Sequence, residues 1–414
     1  MWKLAAFALA ARLLGAQDTA LDPAVLQLAK IKLHMMETLT RQPNYTCLET
    51  VERWQRNALA RQFQFMDRLR IEVALVDGKE LFAWPGSQRF EDRDLTEWVP
   101  SGTFGTGEFA THSRVVFGTN AASFEPRGEQ NLSISNPSVS NQEKRPAVRF
   151  DFTVPRLSAA YQIRSGTAKE IVGYHGSFYV EPQSLDLMRL EIFADDLPAS
   201  LKLKSISDRM DYSRVRIGEG DFLLPESSEV VLVDLNDHQD RNQLRFTACR
   251  QYTGQSKLSF GDVDPTQLAA SSQYPFGAQK SEVELPRNLE MTLSLTDDID
   301  LEAAAIGDPV KARLRDDLKL QGRLVLAKGA TASGRISRLE RHPNFTVLGL
   351  IFTDLDSSAG HARLELQFDR AVSGAVVGLR AWWTSFPPAE HEGLIPLPTG
   401  RKRLTRGAVT LWRT

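Results

Sequence analysis

The sequence predicts a mainly β protein of the α+β class, with an antiparallel sheet, two helices and a second, smaller β-rich unit. Three observations predict this class. One segment near the N-terminus has apolar residues at helical spacing, and alternating apolar and polar residues then recur along most of the chain. A stretch rich in Pro, Gly and Ser at residues 261–284 separates two such β-rich regions.

The first 17 residues have the pattern of an export signal. Lys3 supplies a positive charge, residues 4–14 are apolar apart from Arg12, and two small residues follow. The apolar run is shorter than the ~20 residues that a membrane-spanning helix needs. We therefore predict a signal peptide at residues 1–17 and a periplasmic or secreted protein that is not an integral membrane protein. The alternative is an amphipathic first helix of a cytosolic protein.

The net charge limits the functions that the chain can have, and its length limits the number of domains. The 50 basic and 52 acidic residues give a net charge of −2, which argues against a protein that binds nucleic acid. At ~100–200 residues per domain, 414 residues are enough for more than one unit. We predict a first unit at residues 22–260, a linker at 261–284 and a small β-rich unit at 285–414.

The first helix has clear start and stop signals. Asp22 is a favoured N-cap, Pro23 suits the first helical position, and Pro43 stops the helix. Apolar residues recur at roughly helical spacing along it, so one face is expected to lie on a sheet. These residues are Val25, Leu28, Met35, Met36 and Leu39.

After Pro43 the pattern changes to alternation of apolar and polar residues. The alternation at residues 69–75 predicts a strand, and Asp77-Gly78 is the favoured turn of a hairpin to residues 79–84. A glycine-rich stretch then leads into a short helix that ends at Gly118. Further strands are predicted at residues 148–154, 160–163, 176–180, 187–193, 209–217, 228–235 and 244–252, and in the second unit at residues 289–295, 324–326, 347–352, 364–368 and 408–412.

Cys47 and Cys249 are the only cysteines of the chain. In an exported protein they are predicted to form a disulfide that joins the first and last strands of the first unit. On a strand, Cys249 would share a face with Arg245 and Thr247. This predicts that the disulfide lies on the solvent side of the sheet.

Three stretches of the first unit carry a resemblance to a known fold. Residues 26–51 read as a helix, a proline stop and an Asn-Tyr-Thr-Cys strand, residues 105–117 begin with Gly-Thr-Gly-Glu-Phe, and residues 176–196 begin with Gly-Ser-Phe-Tyr-Val-Glu-Pro. This order resembles a group of secreted bacterial proteins and is similar to the LolA/RseB-like half-barrel fold of periplasmic carriers and sensors. The resemblance implies a curved antiparallel half-barrel sheet over residues 22–260, crossed by two helices. It also implies a concave apolar surface for an acyl chain or a peptide.

A second resemblance lies in the C-terminal unit. Residues 306–312 read Ile-Gly-Asp-Pro-Val-Lys-Ala, Leu-Ala-Lys-Gly-Ala follows at 326–330, and Gly-Arg-Ile follows at 334–336. These segments are similar to the small barrel of type IV secretion pore subunits, with Ala327 where that family has a proline. The resemblance implies a small C-terminal β-barrel or sandwich.

The sequence carries no catalytic motif that we recognise. The glycines at positions 102, 105 and 107 lack the Gly-Lys-Ser/Thr end of a phosphate loop, and the seven histidines do not follow metal-ligand spacing. The Gly-x-Ser-x-Gly motif of many hydrolases is also missing from the sequence. We therefore predict a protein that is not an enzyme and holds neither a metal ion nor another cofactor.

These observations predict an exported envelope protein that binds a hydrophobic ligand, such as a lipid or acyl chain, or a polypeptide partner. The alternatives are an exported hydrolase of envelope or extracellular polymers, with its acid and base far apart in sequence, and a structural or assembly component of the envelope. For the binding protein, the two helices would line an apolar groove, or their side chains would simply fill the core of the sheet. The residues concerned are Val25, Leu28, Met35, Met36, Leu39, Phe109, Val116 and Phe117.

Overall fold

The computed structural model describes residues 21–87, 89–92, 98, 109–135, 142–166, 168–252, 284–342, 344–358, 360–371 and 387–414. The fold is mainly β, with a strongly curled half-barrel sheet and, in the described parts of the chain, two α-helices, as the fold class predicted. Helix α1 spans Pro23–Arg41 and helix α2 spans Thr111–Gly118.

Helix α1 begins and ends where its sequence signals predict. The Asp22 carboxylate accepts a hydrogen bond from the backbone N–H of Ala24 at 2.8 Å, which satisfies one of the free donors of the first turn. Pro23 occupies the first helical position, and the chain becomes extended at Gln42. The inward face buries Ile31, Met35 and Leu39 against the sheet.

Ten strands form the first sheet, and two short strands pair separately beside it. Every pair in the first sheet is antiparallel, and the strand order is β3-β2-β1-β12-β11-β10-β9-β8-β5-β4. Strands β6 and β7 form the separate pair. The strands are β1 (Tyr45–Arg56), β2 (Gln64–Val76), β3 (Lys79–Ala83), β4 (Ser123–Ser135), β5 (Gln142–Val154), β6 (Gln162–Ser165), β7 (Ala168–Ile171), β8 (Gly173–Val180), β9 (Leu187–Asp195), β10 (Leu203–Ile217), β11 (Gly220–Asp234) and β12 (Gln239–Gln251).

The predicted hairpin is confirmed, whereas strand β4 was not predicted. Asp77 and Gly78 both have positive φ, at 51° and 82°, as the tight turn between β2 and β3 requires. Strand β4 lies at the end of the sheet and contains Pro126 and Gly128, between which the register shifts. Such residues are tolerated at sheet edges but obscure the alternation on which sequence reasoning depends.

The predicted disulfide between Cys47 and Cys249 is present, with an S–S distance of 2.02 Å. Its predicted position on the solvent side is wrong, because Cys47 is fully buried and Cys249 packs against the core. The register between β1 and β12 shifts here, and Ala248 has a φ of +49°. The extra residue of this bulge moves Cys249 off the exposed face that carries Arg245 and Thr247.

The second sheet contains eight strands in a curled arrangement. Its order is β20-β19-β18-β15-β13-β24-β21, and β22 also pairs with β19. Two further pairs, β14 with β23 and β16 with β17, lie beside it. The strands are β13 (Glu290–Leu295), β14 (Ile299–Asp300), β15 (Pro309–Leu314), β16 (Leu318–Leu320), β17 (Arg323–Leu326), β18 (Thr331–Arg341), β19 (Phe345–Asp356), β20 (His361–Arg363), β21 (Gln367–Ala371), β22 (Gly393–Pro398), β23 (Arg403–Leu404) and β24 (Val409–Arg413).

The second sheet curls around Trp412, whose side chain is 1% exposed. Gly393 of β22 lies so close to the rings of Trp412 and Phe368 that a Cβ atom would approach them to 2.4 and 2.6 Å. Glycine at this position therefore brings β22 close to β21 and β24, although neither forms a ladder with it.

The two sheets meet at a seam between β2 and the segment before β15. Strand β3 pairs with residues 72–76 of β2, and among the described residues it does not extend along residues 64–71 of that edge. There the backbone N–H of Arg70 donates to the carbonyl of Ile306, and the N–H of Ile306 donates to the carbonyl of Arg68, both at 2.8 Å. The guanidinium of Arg70 also donates to both carboxylate oxygens of Asp308 at 2.7 Å.

Gly307 makes this close approach possible. Its φ is +95°, and a Cβ atom would lie 2.2 Å from the carbonyl oxygen of Arg70. The proposed boundary between the two units, with its linker at residues 261–284, falls almost entirely outside the described residues and stays a prediction.

Candidate functional site

The structure divides the predicted groove residues between two faces of the helices. Met35, Leu39, Phe109, Val116 and Phe117 are buried at 9% exposure or less, and Leu28 is half-buried. They pack into the core between the helices and the sheet. Val25 and Met36 lie outside this buried face of α1 and are 52% and 46% exposed.

The space left beneath the helices is small. A cavity of about 10 Å³ is lined by Met35, Leu39, Phe109 and Tyr212, among others. This is about the volume that one water molecule needs and far less than the ~300 Å³ of a small-molecule site. In this conformation the inward side chains fill the core, and an acyl chain would need the helices to move.

Polar side chains are buried under α2 beside this apolar core. Tyr45 and Glu49 project from β1, His112 from α2, and Asp208 and Tyr212 from β10, and we call these five residues the buried polar cluster. The exposed fractions of Tyr45, Glu49, His112 and Asp208 are 5% or less. A polar group in such a place is costly unless it is hydrogen-bonded.

Three atoms of the buried polar cluster have no hydrogen-bond partner among the described residues. They are the hydroxyl oxygen of Tyr45, Nε2 of His112 and Oδ2 of Asp208. The last two face each other at 3.9 Å, which is too long for a hydrogen bond. Asp208 does accept a hydrogen bond from the hydroxyl of Ser228 at 2.6 Å, through its other carboxylate oxygen.

Burial shifts the pKa values of these groups toward their neutral forms. It lowers the pKa of His112 to about 4. It raises the pKa of Asp208 to about 7, although the hydrogen bonds from Ser228 and from the backbone N–H of Arg209 act to lower that pKa. It also raises the pKa of Tyr45, and the charge of Glu80 adds to that effect.

The pKa of Glu49 is shifted for the same reason. Burial raises its pKa to about 8, with a further contribution from the charge of Glu80. Glu80 itself caps α2, because its Oε1 atom accepts hydrogen bonds from the backbone N–H groups of Ala110 and Thr111 at 3.0 and 3.2 Å. The negative charge that stabilises the start of α2 thus favours a proton on Glu49.

The geometry does not match a serine hydrolase. A catalytic serine donates its proton to histidine, and the acid lies on the far side of the histidine. Here Ser228 donates to Asp208, and Asp208 lies between the serine and His112. Among the described residues, no three His, Cys, Asp or Glu side chains converge as metal ligands.

Glu49→Gln is expected to flatten the pH dependence of stability. The folded-state pKa of Glu49 is raised above its unfolded value, so its contribution is fully present below about pH 4.5 and is lost as the pH rises through about 8. Glutamine has no proton to lose. At pH 8 the free energy of unfolding of the variant should therefore be higher than that of the wild type, by an amount on the order of a few kcal/mol.

Urea unfolding of both proteins at pH 5 and pH 8 measures this difference. Glu219→Gln, in an exposed turn, is the matched control and should leave the wild-type pH dependence unchanged. Parallel pH profiles for Glu49→Gln and the wild type would contradict the assignment.

A larger, open cleft of about 460 Å³ lies on the other side of β1, opposite Glu49. Its lining is polar and includes Glu52, Arg209, Glu229 and Gln243. Arg209 and Gln243 both donate to Glu229, at 3.2 and 3.1 Å. These groups are satisfied within the sheet, so the cleft is a weaker candidate than the buried polar cluster.

Sequence reasoning missed the buried polar cluster. Glu49 does occupy an inward position of the β1 alternation, between Cys47 and Val51, and a carboxylate at such a position is a signal that could have been used. His112 and Asp208 gave no such signal, because only the folded sheet brings α2 onto β10.

Comparisons with known proteins do not identify a family for the chain. No family model and no curated protein matches the chain. A solved structure of a DUF1329 family protein from Desulfovibrio piger aligns with 56% of this chain and 95% of its own, at 11% identity and a TM-score of 0.30. The curled sheet is compatible with a LolA-like half-barrel. Within the part of the chain that the structure describes, helices long and apolar enough to span a membrane are absent.

Proposed function

We propose that the protein is an exported, non-enzymatic binding protein of the cell envelope, and that its ligand is a polypeptide segment that enters beneath α1 and α2. The disulfide supports export, because disulfides persist in oxidising compartments such as the periplasm. The observation that carries the ligand proposal is the set of three unpaired polar atoms behind the helices, on Tyr45, His112 and Asp208.

Unpaired buried polar atoms favour a ligand with hydrogen-bonding groups. Each unpaired atom lowers the stability of the closed state by about 1–3 kcal/mol. A polypeptide backbone presents both N–H and C=O groups and could pair with all three atoms, whereas the hydrocarbon of an acyl chain could pair with none. The apolar residues around the cluster, such as Phe109 and Met35, would contact side chains of the same ligand.

Helix α1 would act as a movable cover in this proposal. His34 lies 2.8 Å from Asp186, whose carboxylate also accepts two hydrogen bonds from Arg214 at 2.6 and 2.8 Å. Gln42 donates to the carbonyl of Leu223 at 3.0 Å. Opening would break these polar contacts and expose Ile31, Met35 and Leu39, which α1 buries, so the open form would be a minor state that a ligand could select.

Tyr45→Phe tests the proposal, because binding and stability should change in opposite directions. Removal of an unpaired buried hydroxyl should raise the free energy of unfolding, by about 1 kcal/mol. It should also weaken binding of a fluorescein-labelled unfolded polypeptide, measured by anisotropy, because one hydrogen bond to the ligand is lost. Tyr179→Phe is the matched control, since that hydroxyl donates to Glu191 outside the buried polar cluster.

The outcomes separate the candidate ligands. Weaker polypeptide binding by Tyr45→Phe alone supports the proposal, and equal binding by Tyr45→Phe and wild type contradicts it. A dansyl-labelled fatty acid should not compete with the polypeptide. If the fatty acid binds tightly and the polypeptide does not, the protein is an acyl-chain carrier instead.

A further inference from the structure

Helix α1 presents a second apolar face, directed away from the sheet. Leu21, Val25, Leu26, Leu33 and Met36 are 63%, 52%, 45%, 61% and 46% exposed, and we call them the outer stripe. They make up five of the twelve large apolar side chains that are exposed in the described part of the chain. Leu21 lies just before the helix, and the spacing of the other four places them along one side of α1, away from the face that buries Ile31, Met35 and Leu39.

We propose that the outer stripe binds to the surface of a phospholipid bilayer. Contiguous exposed apolar residues on a soluble protein mark a contact surface. A helix with one apolar face can lie in the plane of the membrane interface, with that face buried at the boundary between headgroups and acyl chains. Since the opposite face of α1 is covered by the sheet, only the outer stripe is available for such contact.

The position of α1 in the chain favours a bilayer. Residues 4–14 form the apolar core of the predicted export signal, and only residues 15–22 separate them from the start of α1. Eight residues span at most about 29 Å when fully extended. While the signal is held in the membrane, α1 is therefore confined to the neighbourhood of the bilayer surface.

The chemistry of the outer stripe agrees with a lipid partner. It is aliphatic and lacks the Trp, Tyr and Arg side chains that usually dominate the binding energy of protein interfaces. Residues 21–41 carry three cations, Lys30, Lys32 and Arg41, against two acids. The exposed Lys30 and Arg41 can reach anionic headgroups while the outer stripe is buried.

The expected affinity is low. A single myristoyl chain gives reversible binding with a constant of about 10⁴ M⁻¹, and stable anchoring takes a second signal. Five half-exposed side chains should place the protein in this same weak range. The outer stripe would thus hold the protein at the membrane reversibly once the signal no longer anchors it.

Flotation of the full-length chain with vesicles of phosphatidylethanolamine and phosphatidylglycerol tests the proposal. Leu33→Glu should lower the bound fraction severalfold or more, because a carboxylate cannot enter the acyl boundary. Leu157→Glu is the matched control, since Leu157 is fully exposed elsewhere on the molecule and should leave binding within about twofold of wild type. Circular dichroism of both variants should match the wild type, since neither position is buried.

Three results would overturn the proposal: wild type that does not float with vesicles, equal losses in both variants, or binding that Leu33→Glu leaves intact because residues 4–14 alone carry it. Sedimentation equilibrium without lipid provides a fourth test. A wild-type dimer that Leu33→Glu dissociates would assign the outer stripe to a second copy of the chain. Tyr45→Phe should not affect vesicle binding, so this test is independent of the proposed polypeptide site.

Discussion

Replacement of both cysteines by alanine is expected to lower the free energy of unfolding by up to about 5 kcal/mol. Cys47 and Cys249 are 202 residues apart, so their bond closes a loop that contains nearly the whole first sheet. In the chain-entropy model, long loops lose the most freedom in the unfolded state when they are closed. Alanine is preferable to serine at position 47, because the site is fully buried and a hydroxyl there would add a separate cost.

Urea unfolding of the oxidised wild type, the reduced wild type and the alanine pair measures this effect. The reduced protein and the alanine pair should unfold at similar urea concentrations, both well below the oxidised protein, which separates the cross-link from the packing of the sulfur atoms. If the oxidised and reduced proteins unfold at the same concentration, the bond does not stabilise the fold as we expect. Thiol labelling of unreduced, denatured protein should find no free cysteine.

Asp67→Ala is expected to destabilise the first sheet by about 3–5 kcal/mol. Nε of Arg53 donates to Oδ1 of Asp67 at 2.6 Å, and Nη2 donates to the other oxygen, with the two side chains only 6% and 10% exposed. Such a pair contributes little net stability by itself, but loss of one partner leaves a buried charge without its main counter-ion.

The matched control is Glu290→Ala, which removes an ion pair with Arg413 at a carboxylate that is 71% exposed. That change should lower the free energy of unfolding by less than about 1 kcal/mol. A second variant, Arg53→Met with Asp67→Leu, should recover most of the stability lost in Asp67→Ala, because no buried charge remains. If the double variant is as unstable as the single one, packing rather than the loss of the counter-ion determines the effect.

Local sequence signals predicted the elements that depend on neighbouring residues. Asp22 and Pro23 placed the start of α1, and Asp77-Gly78 placed the hairpin between β2 and β3. These signals are short-range, because an N-cap and a tight turn are each determined by a few consecutive residues. The predicted strands were mostly confirmed, but several were longer than predicted: β10 begins at Leu203 rather than at Arg209.

Features that depend on distant contacts could not be predicted in the same way. One bulged residue, Ala248, reversed the predicted orientation of Cys249, because the side-chain period of a strand changes wherever a residue is inserted. The prediction did not separate the groove residues into inner and outer sets, although Met35 and Met36, neighbours in sequence, lie on different faces of α1. His112 and Asp208 come together only through the packing of α2 on β10.

The seam at Gly307 has a consequence for how the chain could be divided. A bare strand edge is a template on which another strand can pair, and proteins without a cover for it tend to aggregate or exchange segments. Ile306 provides that cover at residues 68–70 of β2. Expressed without residues 284–414, the first sheet would therefore expose this part of the β2 edge, and we expect it to self-associate more readily than the full chain.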